Sequence, residues 1–241
     1  MFFVETPTNP MMHVADIAAL SELVHSQGAL MVVDNTFLTP YFQRPLTLGA
    51  DVVVHSATKY LCGHNDVVAG IAVVKSQEMA DFFHAQQKSH GNGLAPFDSW
   101  LILRGLKTLS LRMQRHNENA RQVAAWLRQH PKVKKVYYVG FEDHPGYEVN
   151  RRQSTGFGGM ISFELDSEET AHRLLSDVKM ILFAESLGGT ETLVTYPITQ
   201  THESIPDDVR RKLGINEAFV RISIGIEDPA DIIADLEQAL G

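Results

Sequence analysis

At 241 residues, with 44% apolar and 21% charged side chains, the chain has an ordinary globular composition and is large enough to bury its core without disulfide or metal staples. Its 29 acidic against 21 basic residues leave a net charge of −8, which argues against a general nucleic-acid binder, since such a protein needs a basic face. The single cysteine, Cys62, allows no internal disulfide and points to a reducing compartment; no basic leader precedes Phe2-Phe3-Val4 and no apolar run reaches membrane-spanning length, so a cytoplasmic protein is expected.

Phe2-Phe3-Val4 reads as a short buried strand, of the kind that normally has neighbours on both sides. Asp16 is a plausible helix N-cap, with Ile17, Leu20 and Val24 at helical spacing behind it and Gly28 as the stop. Three continuous apolar runs then predict strands at 29–33, 51–54 and 67–74. Continuous apolar strands alternating with helices indicate a parallel or mixed sheet covered on both faces, with ligands bound beyond the strand C-termini. The polar clusters Thr8-Asn9, Asp34-Asn35-Thr36 and Ser56-Ala57-Thr58-Lys59 all sit at such ends. Residues 77 to about 130 read as helical with one break at 91–96. The stretch holding Leu109, Met113, Ala120, Ala124 and Leu127 has the apolar stripe of an interdomain helix. Strands follow at 133–139, 159–165, 193–196 and 219–224. A last helix opens on Asp228 and Pro229 and closes at Gly241. A domain boundary is placed near residue 110.

Lys59 carries the most chemical information. A lysine at the low-dielectric end of a buried strand can have a depressed pKa and serve as a nucleophilic amine. The hydroxyls of Ser56 and Thr58 could donate to a phosphate. Asp34, ending another apolar strand, needs a cationic partner if it is not simply solvated. Pyridoxal phosphate (PLP) would offer an aldehyde for Lys59, a phosphate for the hydroxyls and a pyridinium for Asp34. The competing reading of the same residues is an exposed Lys59 and an Asp34 that caps a turn. The eleven histidines show no metal-ligand spacing with Cys62 and no HExxH, so no metal is expected. Cys62 reads as packing, and Ser56 lacks the elbow of a hydrolase nucleophile.

Val32-Val33-Asp34-Asn35-Thr36-Phe37, followed by His55-Ser56-Ala57-Thr58-Lys59-Tyr60-Leu61-Cys62-Gly63 and on to Gly70, closely resembles the signature of the trans-sulfuration (Cys/Met metabolism) PLP enzymes, nearest to cystathionine γ-synthase and γ-lyase. Further matching stretches are Glu5-Thr6-Pro7-Thr8-Asn9-Pro10, Leu103-Arg104-Gly105-Leu106-Lys107-Thr108, Glu185-Ser186-Leu187-Gly188-Gly189, Thr201-His202 and Arg221-Ile222-Ser223-Ile224-Gly225. The resemblance implies an α/β fold of the PLP-dependent transferase-like, aspartate-aminotransferase type (fold type I). Residues 1–110 would be the C-terminal part of the PLP-binding large domain, N-terminally incomplete, and 111–241 a smaller C-terminal α/β domain. It also implies roles. Lys59 looks like the lysine that bonds the cofactor aldehyde and then shuttles protons. Asp34 looks like the partner of the pyridinium nitrogen, Ser56 and Thr58 like phosphate ligands, and Asn9 like the contact to the ring hydroxyl. Arg221 looks like a bidentate clamp on the substrate α-carboxylate, with Ser186 beside it. Read without the resemblance, Arg221 could pair with Glu227 or Asp228, while Ser186 and Asn9 could be turn residues.

The acidic Glu185 resembles the γ-synthase and γ-lyase branch, where it would favour the amino group of cystathionine or of incoming cysteine. The expected reaction is replacement of the acyl group of an O-acyl-homoserine by cysteine. Cystathionine γ-lyase or β-lyase chemistry is the alternative, and a non-catalytic remnant that associates with intact homologues is an alternative of another class. Small-molecule amino acids are the expected partners, in a homo-oligomer that the family implies to be a dimer of dimers. The resemblance covers the C-terminal portion of such enzymes. Their upstream phosphate-binding turn, stacking tyrosine and Tyr/Arg pair find no match here, so poor PLP binding by this chain alone is expected.

Overall fold

The computed structural model describes residues 1–241. Its first half builds a four-stranded sheet. Strand β1 (Phe2–Glu5) leads through a turn into helix α1 (Ile17–Ser26). Asp16 caps that helix, its Oδ1 accepting from the Ala19 amide at 3.1 Å. Strand β2 (Met31–Asp34), the one-turn helix α2 (Thr39–Phe42) and strand β3 (Val52–Ser56) follow. A tight helical turn, Ala57–Leu61, continues directly from β3, and the chain returns as β4 (Gly70–Val74). The order is β1-β2-β3-β4, with the first three parallel and β4 antiparallel to β3. Register places Glu5 beside Asp34 and Asp34 beside Val54, so the C-terminal ends of the parallel strands lie in one row.

Helices α3 (Gln77–His90), α4 (Pro96–Leu106) and α5 (Leu109–Leu127) lead to a second sheet. Its elements in chain order are β5 (Val133–Tyr137), α6 (Tyr147–Gln153), β6 (Met160–Leu165), α7 (Glu168–Asp177), β7 (Leu182–Phe183), β8 (Leu193–Thr195), α8 (Asp207–Lys212), β9 (Phe219–Ser223) and α9 (Pro229–Leu240). The strand order is β5-β6-β9-β8-β7. Every residue of the central strand β9 is buried, as a strand with neighbours on both edges requires. Apolar residues of α5, α7 and α9, among them Val123, Leu174 and Leu236, close one core against this sheet. A second core joins the two halves: Tyr60 and Leu61 from the turn after β3 pack with Met113 of α5, Met160 of β6 and Leu187. No helix is long and apolar enough to cross a membrane.

The structure departs from the sequence-based expectations in several places. β1 is an edge strand, with Phe2 and Phe3 exposed, because no other segment of the 241 residues pairs with its outer edge. The strand expected from Val67 begins only at Gly70. The Thr58 amide donates to the Ala69 carbonyl (3.2 Å) and the Ala69 amide to Thr58 Oγ1 (2.9 Å), which ties Ala69 to the turn instead. The strand expected to reach Val139 ends at Tyr137, and the helical stretch has a second break at Lys107-Thr108. Helices α2, α6, α7 and α8 and strand β7 have no counterpart in the sequence-based expectations. For α7 a signal exists in Ser167-Glu168-Glu169-Thr170, where Ser167 Oγ caps the Thr170 amide.

One carboxylate organises the turn before β7. Asp235 on α9 accepts from the amides of Lys179 (2.9 Å), Met180 (2.9 Å) and Ile181 (2.8 Å). Burial pushes this carboxyl up, but the amides of Ile181, Lys179 and Met180 outweigh it and hold it below its usual range. A depressed carboxylate stabilises the fold above its unfolded value and loses that contribution as the pH falls through its folded value. Asp235→Ala should therefore cost about 2 kcal/mol at neutral pH, from charge-assisted bonds left unmade. Urea melts should show a difference from the parent that shrinks under acid conditions.

Candidate active site

The site lies where the row of strand ends in the first sheet meets β9 of the second. The turn after β3 brings Lys59 there. Its backbone leaves helical geometry at Lys59 itself (φ −89°, ψ −134°), and the half-buried side chain reaches Ser186, donating from Nζ to Oγ at 2.9 Å. Burial and the charge of Arg221 hold the Lys59 amine below the ordinary lysine range, with Glu185 opposing. Lys59 is thus not the freely solvated lysine of the competing reading.

Arg221 stands in the middle of β9 and is 2% exposed. Its Nη1 donates to Asn9 Oδ1 (2.9 Å), and its Nη2 donates to the Ser186 carbonyl (2.8 Å) and to Thr195 Oγ1 (2.9 Å). Nε is buried without a partner. Of five N–H donors three are engaged and one is sealed, so a bidentate grip on a carboxylate requires one existing bond to yield. Burial lowers this guanidinium to about 10. The alternative pairing with Glu227 or Asp228 is not taken: Glu227 accepts from Thr192, and Asp228 caps α9. Ser186, the residue both cations touch, has φ 89°, a left-handed backbone that side chains other than glycine seldom adopt. Glu185 is exposed at the mouth, where its charge acts on both Lys59 and Arg221.

Asp34 ends β2. Its Oδ1 accepts from the Thr36 amide (2.9 Å) and the Thr36 hydroxyl (2.6 Å), so it does cap a turn, yet none of the ten ion pairs includes it. Beside it, burial and then the charge of Asp34 push the Glu5 carboxyl up to about 7, against the pull of the Asn9 amide and Arg221. Ser56 is half-buried, its amide donating to Thr36 Oγ1 at 2.8 Å. The Thr58 hydroxyl is shared with Ala69, accepting from its amide and donating to its carbonyl at 3.3 Å, so its proton must leave that carbonyl to serve a phosphate. Asn9 faces Arg221. Cys62 is buried with Sγ on Asp66 Oδ1, and burial pushes its thiol up to about 11, as suits packing rather than attack. No group of three or more His, Cys, Asp or Glu residues is arranged to hold a metal ion.

Three residues of this site escaped the sequence reading. Thr195 and Thr36 lie inside stretches that drew attention for other reasons. Glu5 had a usable signal, because it ends β1 as Asp34 ends β2.

The family model described as Cys/Met metabolism PLP-dependent enzyme matches residues 1–241. A cystathionine gamma-lyase of Bacillus subtilis is 50% identical over 238 residues, covering 99% of this chain and 63% of that protein. A cystathionine beta-lyase of Lactococcus lactis is 47% identical over the same shares. Among solved structures, cystathionine gamma-lyase from Lactobacillus plantarum complexed with L-serine superposes with a TM-score of 0.96 at 43% identity, over 98% of this chain and 62% of that one. Cystathionine gamma synthase from Xanthomonas oryzae pv. oryzae, in complex with aminoacrylate and cysteine, gives a TM-score of 0.96 at 41% identity, over 99% and 62%. The chain therefore spans somewhat under two thirds of the length of these relatives.

The paired carboxyls make a pH prediction for the protein without ligand. A carboxyl raised in the fold binds a proton that the unfolded chain has released, so stability falls as the pH rises from 4.5 to about 7 and then levels. Glu5→Gln should flatten that slope in denaturant melts taken between pH 5 and 8. An unchanged slope would mean that Glu5 does not hold the proton.

Proposed function

The chain belongs to the Cys/Met metabolism PLP-dependent enzymes, and on that premise we propose that it serves the making or breaking of carbon–sulfur bonds in amino acids, at the γ-carbon. The observation that carries the reading is the convergence of Lys59 and Arg221 on Ser186, with Asp34 left without a protein cation. The chain's own groups fit the family's cofactor. Asp34 makes no ion pair and its charge helps to push up the Glu5 carboxyl beside it, so a protonated pyridine nitrogen would find an unpaired carboxylate there. Lys59 is an amine held toward its neutral form, which the cofactor aldehyde requires. Ser56 and Thr58 lie on the same turn and would hold the phosphate, and Asn9 would face the ring hydroxyl.

When bound, pyridoxal phosphate supplies an aldehyde carbon for an amine and a cationic ring that withdraws the electron pair left at Cα. Everything else is done by the chain. Asp34, oriented by two bonds from Thr36, keeps its Oδ2 free for the ring nitrogen. Arg221 orients the substrate α-carboxylate, giving up one of its three bonds to take a second carboxylate oxygen. Lys59 Nζ takes the proton from Cα and returns it to the leaving or entering side, with Ser186 Oγ as its resting partner. Glu185 at the mouth favours an ammonium on the distal half of the substrate or on incoming cysteine. This supports γ-replacement of an O-acyl-homoserine by cysteine, with γ-lyase cleavage of cystathionine as the same chemistry run toward release. The β-lyases among the relatives keep cleavage at Cβ as the competing reading.

Two substitutions test this. At cofactor concentrations high enough to offset the weak binding expected of this chain alone, the pyridoxal phosphate that the parent takes up should give a visible absorbance band and a borohydride-fixed label on Lys59. Lys59→Ala should lose both; label retained elsewhere overturns the assignment. Glu185→Ala should weaken use of cysteine about threefold while leaving α-carboxylate affinity nearly unchanged, as expected for one exposed charge pair. Equal losses with every substrate would remove the role given to Glu185.

A further inference from the structure

Helix α5 runs between the two sheets, and its buried face is not wholly apolar. Arg112, His116 and Asn119 are 4%, 0% and 0% exposed. They follow one another at i, i+4 and i+7, so they share a face and span about 10 Å of rigid helix. All three grip backbone carbonyls. Arg112 donates to the carbonyls of Tyr60 (2.7 Å) and Gly105 (2.9 Å), with Thr108 Oγ1 at 3.1 Å. His116 Nδ1 donates to the Ile224 carbonyl at 2.7 Å. Asn119 Nδ2 donates to the carbonyls of Gly225 (3.1 Å) and Glu227 (2.7 Å). Tyr60 directly follows Lys59, and Ile224 and Gly225 lie just past the end of the strand that carries Arg221. One helix thus holds the backbone just beyond the amine and just beyond the guanidinium. Gly63 makes room for the grip: a Cβ there would stand 2.1 Å from Arg112 Nη1.

Burying three polar side chains in a core that Leu or Met would fill carries a desolvation cost, so their bonds must provide something that packing alone does not. We propose that α5 is the spacer that sets the separation of Lys59 and Arg221, with Arg112, His116 and Asn119 as positioning residues. The inference rests on the roles given above to Lys59 and Arg221. A substrate's amino nitrogen and carboxylate are one carbon apart, so the groups that receive them must be held at a fixed spacing.

The test reads Lys59 in the chain without cofactor, from the pH dependence of its acetylation by an N-hydroxysuccinimide ester, followed by peptide mass spectrometry. The charged groups facing the amine are Arg221 from β9 and Glu185 from the loop after β7. His116 itself stays neutral, since burial pulls it down to about 4. Releasing the β9 end lets Arg221 drift from the amine. His116→Phe and Asn119→Ala should each move the Lys59 midpoint up by about half a unit, which is ~3-fold slower labelling below the midpoint. His116→Asn, whose Nδ2 can take the place of the imidazole Nδ1 donor, should restore the parent profile. Cooperative melting shows which variants are folded, and Asn119→Ala carries the test should His116→Phe not fold. In chain loaded with pyridoxal phosphate, the same variants should raise KM for an α-carboxylate substrate more than they lower kcat. An unmoved midpoint in a folded variant overturns the proposal, as does a His116→Asn profile equal to that of His116→Phe. Failure of the parent chain to take up cofactor would count against the proposed function alone, because the acetylation profile needs none.

Discussion

Two cations meet at one serine. Lys59 comes from the end of a strand in the first sheet and Arg221 from the middle of a strand in the second, yet Nζ bonds the Ser186 hydroxyl and Nη2 bonds the Ser186 carbonyl. Like charges at this range repel, and burial of the guanidinium weakens the screening that water would give. Burial first and this repulsion second hold the Lys59 amine below its ordinary range, toward the neutral form that can attack a carbonyl carbon or accept a proton. The backbone at Ser186 is held in a left-handed conformation so that one residue can present both oxygens.

Holding that conformation requires the surrounding loop to lie directly on the lysine turn. Gly188 sits where a Cβ would be 2.7 Å from the Tyr60 amide nitrogen, and the Gly188 amide donates to Ser223 Oγ at 2.8 Å. Leu187 is buried in the core shared with Tyr60 and Met113. The Thr190 amide then reaches the Gly63 carbonyl. The loop therefore contacts the first sheet's turn through backbone and glycine, which is the closest approach two segments can make. Tight packing at this junction, together with the polar grip of α5, leaves the amine and the guanidinium little freedom to separate.

Two carboxyls stand at the strand ends of the first sheet, within the field of Arg221. Glu5 and Asp34 end adjacent parallel strands, and burial together with the Asp34 charge pushes the Glu5 carboxyl up to about 7. Thr36 gathers the corner: its hydroxyl donates to Asp34 and accepts from the Ser56 amide.

Much of this was legible in the residues. Continuous apolar runs ending in Asp34 and in His55-Ser56 showed an α/β sheet with chemistry at its strand ends, because burial on both faces leaves only the ends free for polar groups. The long stretch around Lys59 carried the family through its resemblance to known members; spacing by itself left the exposed lysine and the turn-capping Asp34 open. What the chain could not reveal in one dimension was partnership. The stripe on α5 read as apolar, and nothing in its spacing distinguished the buried Arg112, His116 and Asn119 from solvated residues of a helix face; their partners lie on segments up to 108 residues away. Arg221 read as a free clamp, whereas the fold already occupies most of its donors. Pattern reports which face a side chain takes. Only the packing of two sheets against one helix decides which distant carbonyl, hydroxyl or charge it meets there, because those contacts are set by the relative placement of whole elements and not by local periodicity.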